Sequence, residues 1–332
     1  MAQLDGARCS FLLSALRFLD RWCASKKGTD TGAHCACAKG GDPKTCASGS
    51  IYFGDTGTAV TVLAKCYRKI QASDPRRAEN YMAAMAKYWR YVTEGSNKAP
   101  PGRAANQTAP HGFVDAAGAV GCGYYGGTPD HVSLDPYTIA TATTGAAFAA
   151  EYYASLAPTN PDRAGAASVA AAAVSWICNT VLANGQIPYI LDGKTAPMTQ
   201  WPLDTISYVT EGVVAFDLFL GKSHPSVHAA ITACFGKTAD WLVSTQNADG
   251  SWGTLGTGDQ QRSPRVATLL AWYAALQPDA ASKHKYAASA QKYASFLLDP
   301  ANSKKYGVKF VPNTSGFVGI AVADMLKYGV TF

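Results

Sequence analysis

The segment Arg265-Val-Ala-Thr-Leu-Leu-Ala-Trp272 decides the fold class, because it is apolar on nearly every helical face. A helix with this pattern has to be buried on all sides. Four other segments share the pattern, and each starts at an Asp or Asn, residue types that cap helix N-termini. The five predicted inner helices lie near residues 54–70, 136–155, 205–220, 261–276 and 314–328.

A second kind of helical segment alternates with the first and carries a large aromatic residue in its last turns, such as Trp89, Trp176 or Trp241. These predicted outer helices lie near residues 8–24, 77–95, 162–182, 225–245 and 279–298. Apolar inner helices ringed by amphipathic outer helices predict an all-α fold, an α/α toroid (barrel) of about five to six helical hairpins. An irregular bundle or an open solenoid is the alternative. We expect residues 1–332 to form one such domain.

The same turn follows two of the outer helices. Gly185 comes nine residues after Trp176, and Gly250 comes nine residues after Trp241. Each glycine follows Asn or Asp, and both pairs are typical of turns. The stretch Gln246-Asn-Ala-Asp-Gly-Ser-Trp252 resembles the Q-x3-G-x-W repeat of prenyltransferase and squalene-cyclase toroids. The five repeats also resemble those of six-hairpin glycosidase and polysaccharide-lyase toroids. The resemblance implies a toroid in which this motif ties the end of an outer helix to the next turn.

Composition favours a secreted protein. Charged residues make up only 16% of the chain, and five of its nine cysteines lie in the first 46 residues. A polar loop, residues 25–53, cannot form its own core. It contains Cys35, Cys37 and Cys46, and Cys23 lies just before it. Such a segment is typically held by disulfides in an oxidising compartment. The alternative is a zinc site made by His34 with cysteines of this loop.

Several function classes are excluded or disfavoured. No apolar run reaches the roughly 18 residues that a membrane span needs. The net charge of +6 is mildly basic, but no Lys/Arg block is interleaved with aromatics, so nucleic acid is not an expected partner. We expect no metal and no cofactor. The expected partner is a small-molecule or oligosaccharide substrate, and the oligomeric state is left open.

In a closed toroid the pocket is the axial cavity, which opens where the inner helices begin. A long Gly/Pro-rich loop, residues 96–135, precedes one of these helices and should lie at that mouth. Candidate catalytic residues are Glu211, His131, Asp135 and Asp204. Candidate substrate-binding residues are Asp55, Tyr124, Tyr137, Trp201, Tyr208, Asp259 and Arg262. For Asp55, Asp135 and Asp204, helix capping is the alternative role.

Glu211 is the strongest candidate, because it lies in the middle of an apolar inner helix. An ionised carboxylate costs several kcal/mol in such a place unless it is paired or protonated. Desolvation is expected to raise the pKa of this group, which would suit a general acid. The alternative is a bond to a neighbouring inner helix. Its own helix offers no charged partner one turn away, so any partner has to come from another helix or from a ligand.

Three functions are consistent with these features. The first is a secreted carbohydrate-active enzyme, either a glycoside hydrolase with two carboxylates or a polysaccharide lyase. The second is a terpenoid cyclase, isomerase or dehydratase that uses a buried acid. The third is a ligand-binding module without catalysis. The polarity of the cavity discriminates among them, because converging acids favour a sugar and a dry aromatic pocket favours a terpenoid.

Overall fold

The computed structural model describes residues 53–94, 137–188, 190–191, 202–252, 264–299, 301–302 and 321–330. The chain divides into two compact units, Met1–Ala173 and Val174–Phe332, with the boundary inside a helix. We describe each unit by itself. The described residues are overwhelmingly helical, which confirms the all-α class.

The first unit contains α1 (Phe53–Ile70), α2 (Pro75–Glu94), the two-residue strand β1 (Tyr137–Thr138), α3 (Ile139–Ser155) and the first part of α4 (Asp162–Thr180). The second unit contains the end of α4, the two-residue strand β2 (Ile190–Leu191), α5 (Pro202–Leu220) and α6 (Pro225–Thr245). It continues with α7 (Arg265–Ala275), α8 (Ala280–Leu298) and helical residues 321–327, which we call α9. The predicted helices from 54–70 onward are therefore present, most of them within a few residues of the predicted ends.

Short connections lead from the helices predicted as inner to those predicted as outer, and we keep these two names as labels of the prediction. Residues 71–74, 221–224 and 276–279 join α1 to α2, α5 to α6 and α7 to α8. Their local chemistry explains where the outer helices begin. Pro75 and Pro225 open α2 and α6, where the missing amide hydrogen has no helical partner to lose. Asp279 caps α8 by accepting a hydrogen bond from the Ser282 backbone amide at 2.8 Å.

In the first unit the inner helices α1 and α3 pack against each other, and α2 packs against both. Trp89, the predicted aromatic of the outer helix, lies 5.5 Å from Tyr152 and 5.9 Å from Phe148 between ring centroids. The buried carboxylate of Glu151 on α3 is held by Arg68 of α1. An ion pair between inner helices is therefore part of this core.

In the second unit α7 packs against α5, α6 and α8, and α6 contacts α8. Nine of the eleven residues of α7 are buried, as its all-round apolar pattern predicts. The prediction holds less well for α5, where Tyr208 and Leu218 are exposed. One side of this inner helix is therefore not covered by the described part of the chain.

The capping roles considered for three aspartates are wrong. Helix α1 already includes Phe53, so Asp55 lies inside its first turn. Helix α5 begins at Pro202, and Asp204 is its third residue. Helix α3 begins only at Ile139, after β1, so Asp135 is too far upstream to cap it. A proline at the first position starts α5 before Asp204, because its fixed φ already suits a helix.

The Gly turns attach each outer helix to the next outer helix. At Gly250 the backbone has a φ of +92°, and a Cβ there would lie 2.4 Å from the carbonyl oxygen of Lys292 in α8. At Gly185 φ is +89°, and a Cβ would lie 2.2 Å from the carbonyl oxygen of Lys237 in α6. Only glycine combines this conformation with such close backbone contact. The two turns are therefore structural equivalents.

The Gln and Trp of the motif secure the second turn. The Gln246 side-chain amide donates hydrogen bonds at 3.0 Å to the carbonyl oxygens of Gly250 and of Ser289 in α8. Ser289 returns a hydrogen bond from its hydroxyl at 2.8 Å. The Trp252 indole donates to the Leu242 carbonyl oxygen at 2.7 Å. The motif thus joins the end of α6, its own turn and the side of α8.

One disulfide also joins consecutive outer helices. Cys178 of α4 and Cys234 of α6 are bonded, with 5.8 Å between their Cα atoms. Cys66 is a buried thiol. The cysteines predicted to pair within residues 23–46, the alternative zinc ligands, and helix 8–24 lie outside the described residues. The bridge is consistent with an oxidising environment.

Peptide mapping of the unreduced protein is expected to recover Cys178 and Cys234 in one linked peptide. Cys66 should be alkylated only after unfolding, because its side chain is buried. Mass spectrometry before and after reduction measures both. Alkylation of Cys178 and Cys234 in the native, unreduced protein would contradict the bridge and, with it, the expected compartment.

None of the helices in the described ranges is long and apolar enough to cross a bilayer.

Candidate functional site

Tyr208 and Glu211 are the two predicted site residues whose side chains the structure describes. Both belong to α5, three residues apart and so on neighbouring positions of one face. Asp204 lies on the same helix, Asp55 in α1 and Tyr137 in β1, and only their backbone is described. The other candidates lie outside the described residues: Tyr124, His131, Asp135, Trp201, Asp259 and Arg262.

Glu211 has its partner on the neighbouring inner helix. The carboxylate binds the guanidinium of Arg265 through two contacts, Nη1 to Oε2 at 2.5 Å and Nη2 to Oε1 at 3.3 Å. The two side chains are 12% and 8% exposed, so the pair is largely desolvated. This two-point geometry is the strongest form of a carboxylate–arginine contact. The expectation that the partner comes from another helix is confirmed.

Further groups set the charge balance around Arg265. Burial opposes the charge of its guanidinium, but the carboxylates of Glu211 and Asp324 outweigh burial, so the pKa of Arg265 lies above its usual value. Asp324 is on α9, and Tyr208 also interacts electrostatically with the guanidinium. Because Glu211 faces a permanent positive charge, its ionised form is favoured. The expectation of a raised pKa at Glu211 assumed purely apolar surroundings. That assumption is wrong, because a buried guanidinium binds the carboxylate.

We call Tyr208, Glu211, Arg265 and Asp324 the inner-helix cluster. Tyr208 is 40% exposed, Glu211 is partly exposed, and Arg265 is buried beneath them. The cluster thus offers an accessible phenol and the edge of a carboxylate fixed from behind. Such a group can bind sugar hydroxyls, stack on a ring or stabilise positive charge developing on a substrate.

A second polar group ties the same two helices together further along α5. The Trp272 indole donates a hydrogen bond to Asp217 Oδ2 at 2.8 Å, and His228 Nδ1 lies 2.6 Å from Asp217 Oδ1. Tyr328 interacts electrostatically with Asp217. Burial, together with the charges of Asp324 and Asp217, holds the pKa of Tyr328 above its usual value. The pairs Glu211–Arg265 and Asp217–Trp272 join residues 54 and 55 positions apart. The inner helices α5 and α7 therefore run parallel.

Sequence reasoning missed Arg265, Asp217 and His228. Arg265 was recoverable in principle, since it is one of two arginines, with Arg262, in the predicted inner helix 261–276, and Glu211 needed a counter-charge. Neither His228 nor its partner Asp217 was singled out as a candidate site residue. No local pattern signals such a contact, because the two residues belong to different helices.

Comparisons with protein-family models, with curated proteins and with solved structures give no significant match. The functional argument therefore depends on the residues of the chain itself.

Proposed function

We propose that the protein is a secreted glycoside hydrolase or related carbohydrate-active enzyme with an α/α-toroid fold, whose substrate binds along the inner helices. The observation that carries this proposal is the inner-helix cluster. A partly exposed carboxylate, fixed by a buried arginine, lies one turn from an exposed tyrosine on a helix that is otherwise mostly buried. Aromatic surface beside a carboxylate suits a sugar ring and its hydroxyl groups.

The toroid is supported by two repeated features of the second unit. The inner helices α5 and α7 run parallel, as consecutive inner helices of a toroid do. The turns at Gly185 and Gly250 pack closely against the backbone of the next predicted outer helix, α6 and α8 respectively. An open solenoid would also give parallel helices, but its concave surface is typically polar, whereas α7 is buried almost throughout.

In the proposed reaction Glu211 acts in its ionised form, as a general base, as a nucleophile or as the group that stabilises an oxocarbenium-like transition state. Arg265 is the positioning residue that keeps this carboxylate charged and fixed. Tyr208 contacts the sugar. The second carboxylate that hydrolysis requires is assigned to Asp204 of the same helix.

The contacts of Arg265 favour hydrolysis over β-elimination. A lyase needs a cation that neutralises the uronate carboxylate of its substrate, and the charge of Arg265 is already balanced by Glu211 and Asp324. The arginine also weighs against a terpenoid cyclase, because an acid that protonates an alkene has to be protonated itself. The substrate screen described next distinguishes the lyase and the cyclase from the hydrolase by their products.

A screen of neutral glycans, uronate-containing glycans and isoprenoids, with products identified by mass spectrometry, tests the proposal. Release of a reducing sugar with addition of water is the expected result. An unsaturated uronate product would identify a lyase, and a cyclised isoprenoid would identify a cyclase. Binding of a glycan without turnover would identify a binding module and overturn the proposed enzyme.

Tyr208→Phe and Glu211→Gln are expected to lower kcat/KM on the glycan identified, by at least about 10-fold and about 1,000-fold respectively. The first loses a hydroxyl contact, and the second loses the charge that acts in the transition state. Tyr153→Phe is the matched control, because Tyr153 is a half-buried tyrosine of the other unit whose ring lies under Arg163. Full activity in a folded Glu211→Gln variant would contradict the assignment of Glu211.

A further inference from the structure

Helix α5 has an accessible strip that continues beyond the inner-helix cluster. Tyr208 and Leu218 are 40% and 50% exposed, and Glu211 and Val214 between them are partly exposed. Successive residues of an α-helix are turned by about 100°, so these four positions lie within about a third of its circumference. We call Tyr208, Glu211, Val214 and Leu218 the α5 strip.

Elsewhere on α5 the large apolar side chains are mostly buried, and Ile206, Val213 and Phe216 are fully so. A leucine left half exposed forgoes part of the free energy that burial supplies. Single exposed leucines are ordinary at a protein surface, but Leu218 shares one side of its helix with a fixed carboxylate and an exposed tyrosine. This combination is typical of a surface that binds a ligand with both apolar and polar groups.

The charges along the α5 strip are few, and each has a partner. The carboxylate of Glu211 is bound by Arg265. Asp217, the residue before Leu218, contacts His228 and accepts a hydrogen bond from the Trp272 indole. The strip beyond Glu211 therefore offers aliphatic surface. Aliphatic side chains suit the C–H faces of sugar rings, while a carboxylate accepts hydrogen bonds from their hydroxyl groups.

The length of the α5 strip exceeds that of a single sugar ring. An α-helix rises about 1.5 Å per residue, so Leu218 lies about 10 Å beyond Glu211 along the axis, and Tyr208 lies about 4–5 Å before it. The longer arm corresponds to about two sugar units and the shorter arm to about one. Glu211 thus lies inside the strip and not at its end.

We propose that the α5 strip binds a chain of about three or more sugar units, with the bond to be cleaved next to Glu211. The substrate class is therefore an oligosaccharide or polysaccharide rather than a disaccharide. Val214 and Leu218 are positioning residues for the units beyond the cleaved bond. This inference rests on the proposed hydrolase function. Contacts with such remote units contribute to the rate because they hold the reacting bond in place.

A chain-length series tests the proposal with the intact protein. The substrates are dimers to hexamers of β-1,4-linked glucose, xylose and mannose, and of α-1,4-linked glucose. We expect kcat/KM to rise at least about 10-fold from dimer to tetramer, because the dimer lacks the units that contact Val214 and Leu218. Isothermal titration calorimetry measures the affinity for the same series.

Variants of the α5 strip supply the second measurement. Leu218→Ala is expected to lower kcat/KM about 3- to 10-fold on tetramers and hexamers, as loss of part of an apolar contact does, and to leave the dimer unchanged. Val214→Ala should act in the same direction. Leu298→Ala is the matched control, because Leu298 ends α8 and is 51% exposed outside the strip. Its kinetics should equal those of the wild type.

The outcomes separate this inference from the proposed function. Cleavage with a kcat/KM independent of chain length, or an equal loss on dimers and hexamers in Leu218→Ala, would overturn the role of the strip and leave the hydrolase standing. An affinity that rises with chain length and falls in Leu218→Ala, without cleavage, would support the strip and overturn the hydrolase. Neither cleavage nor binding of any oligomer would overturn both.

Discussion

Replacement of Arg265 with Met is expected to lower the free energy of unfolding by about 3–5 kcal/mol, the cost of removing one partner of a buried ion pair. The reason is that Glu211 would stay in a largely desolvated place without the guanidinium that binds both its oxygens. Asp324 would lose the same positive charge. Urea denaturation at pH 7 measures the change.

A double substitution separates two contributions to the loss of unfolding free energy: the unpaired buried charge and the lost packing of the arginine side chain. Arg265→Met combined with Glu211→Leu should recover most of the stability, because neither charge is then left buried alone. Lys283→Met, at an exposed position of α8, is the control and should change stability by less than about 0.5 kcal/mol. A loss below about 1 kcal/mol in Arg265→Met alone would show that water reaches the pair and that the inner-helix cluster is not fixed by it.

Gly185→Ala is expected to lower the free energy of unfolding by about 2–5 kcal/mol. Two physical effects add in this variant. A left-handed backbone costs a residue with a Cβ roughly 1–2 kcal/mol, and an overpacked contact costs typically 1–3 kcal/mol more. The second effect arises because the new Cβ would lie 2.2 Å from the Lys237 carbonyl oxygen, which is backbone and held within α6.

Gly329→Ala is the matched control for this effect. Gly329 also has a positive φ, +77°, but a Cβ there would meet no atom within 4 Å. Its substitution should therefore cost only the backbone contribution of roughly 1–2 kcal/mol. Thermal and urea unfolding of both variants measure the difference. Equal losses in Gly185→Ala and Gly329→Ala would show that the contact between the turn and α6 does not contribute to stability.

The positions of the helices were predictable from the sequence because their causes are local. The outer helix predicted at residues 225–245 is observed as Pro225–Thr245, and its start is marked by a proline. The turn glycines were recognisable because Asn or Asp before Gly is a local conformational preference. The exact starts of α3 and α5 were not predictable. An Asp is favourable both as an N-cap and within the first turn, so Asp204 did not mark the start of α5, and two strand residues precede α3.

The candidate site was predicted only in part. A glutamate within an apolar helix predicts that a partner exists, and Glu211 was identified in this way. The sequence does not identify the partner of Glu211. Arg265 is 54 residues away, and the two meet only because α5 and α7 run parallel side by side. The same holds for Asp217, whose two partners come from α6 and α7.

The sequence by itself determined the helical class, the approximate bounds of the helices and the Gly turns, because hydrophobic periodicity, proline positions and turn chemistry act over a few residues. Only the tertiary structure decided that Glu211 binds Arg265, that the Gly185 and Gly250 turns rest on the next outer helix, and that Asp217 orients His228. The physical reason is that buried charges and close backbone contacts are satisfied between helices far apart in sequence. Their partners are set by packing, which no local preference specifies.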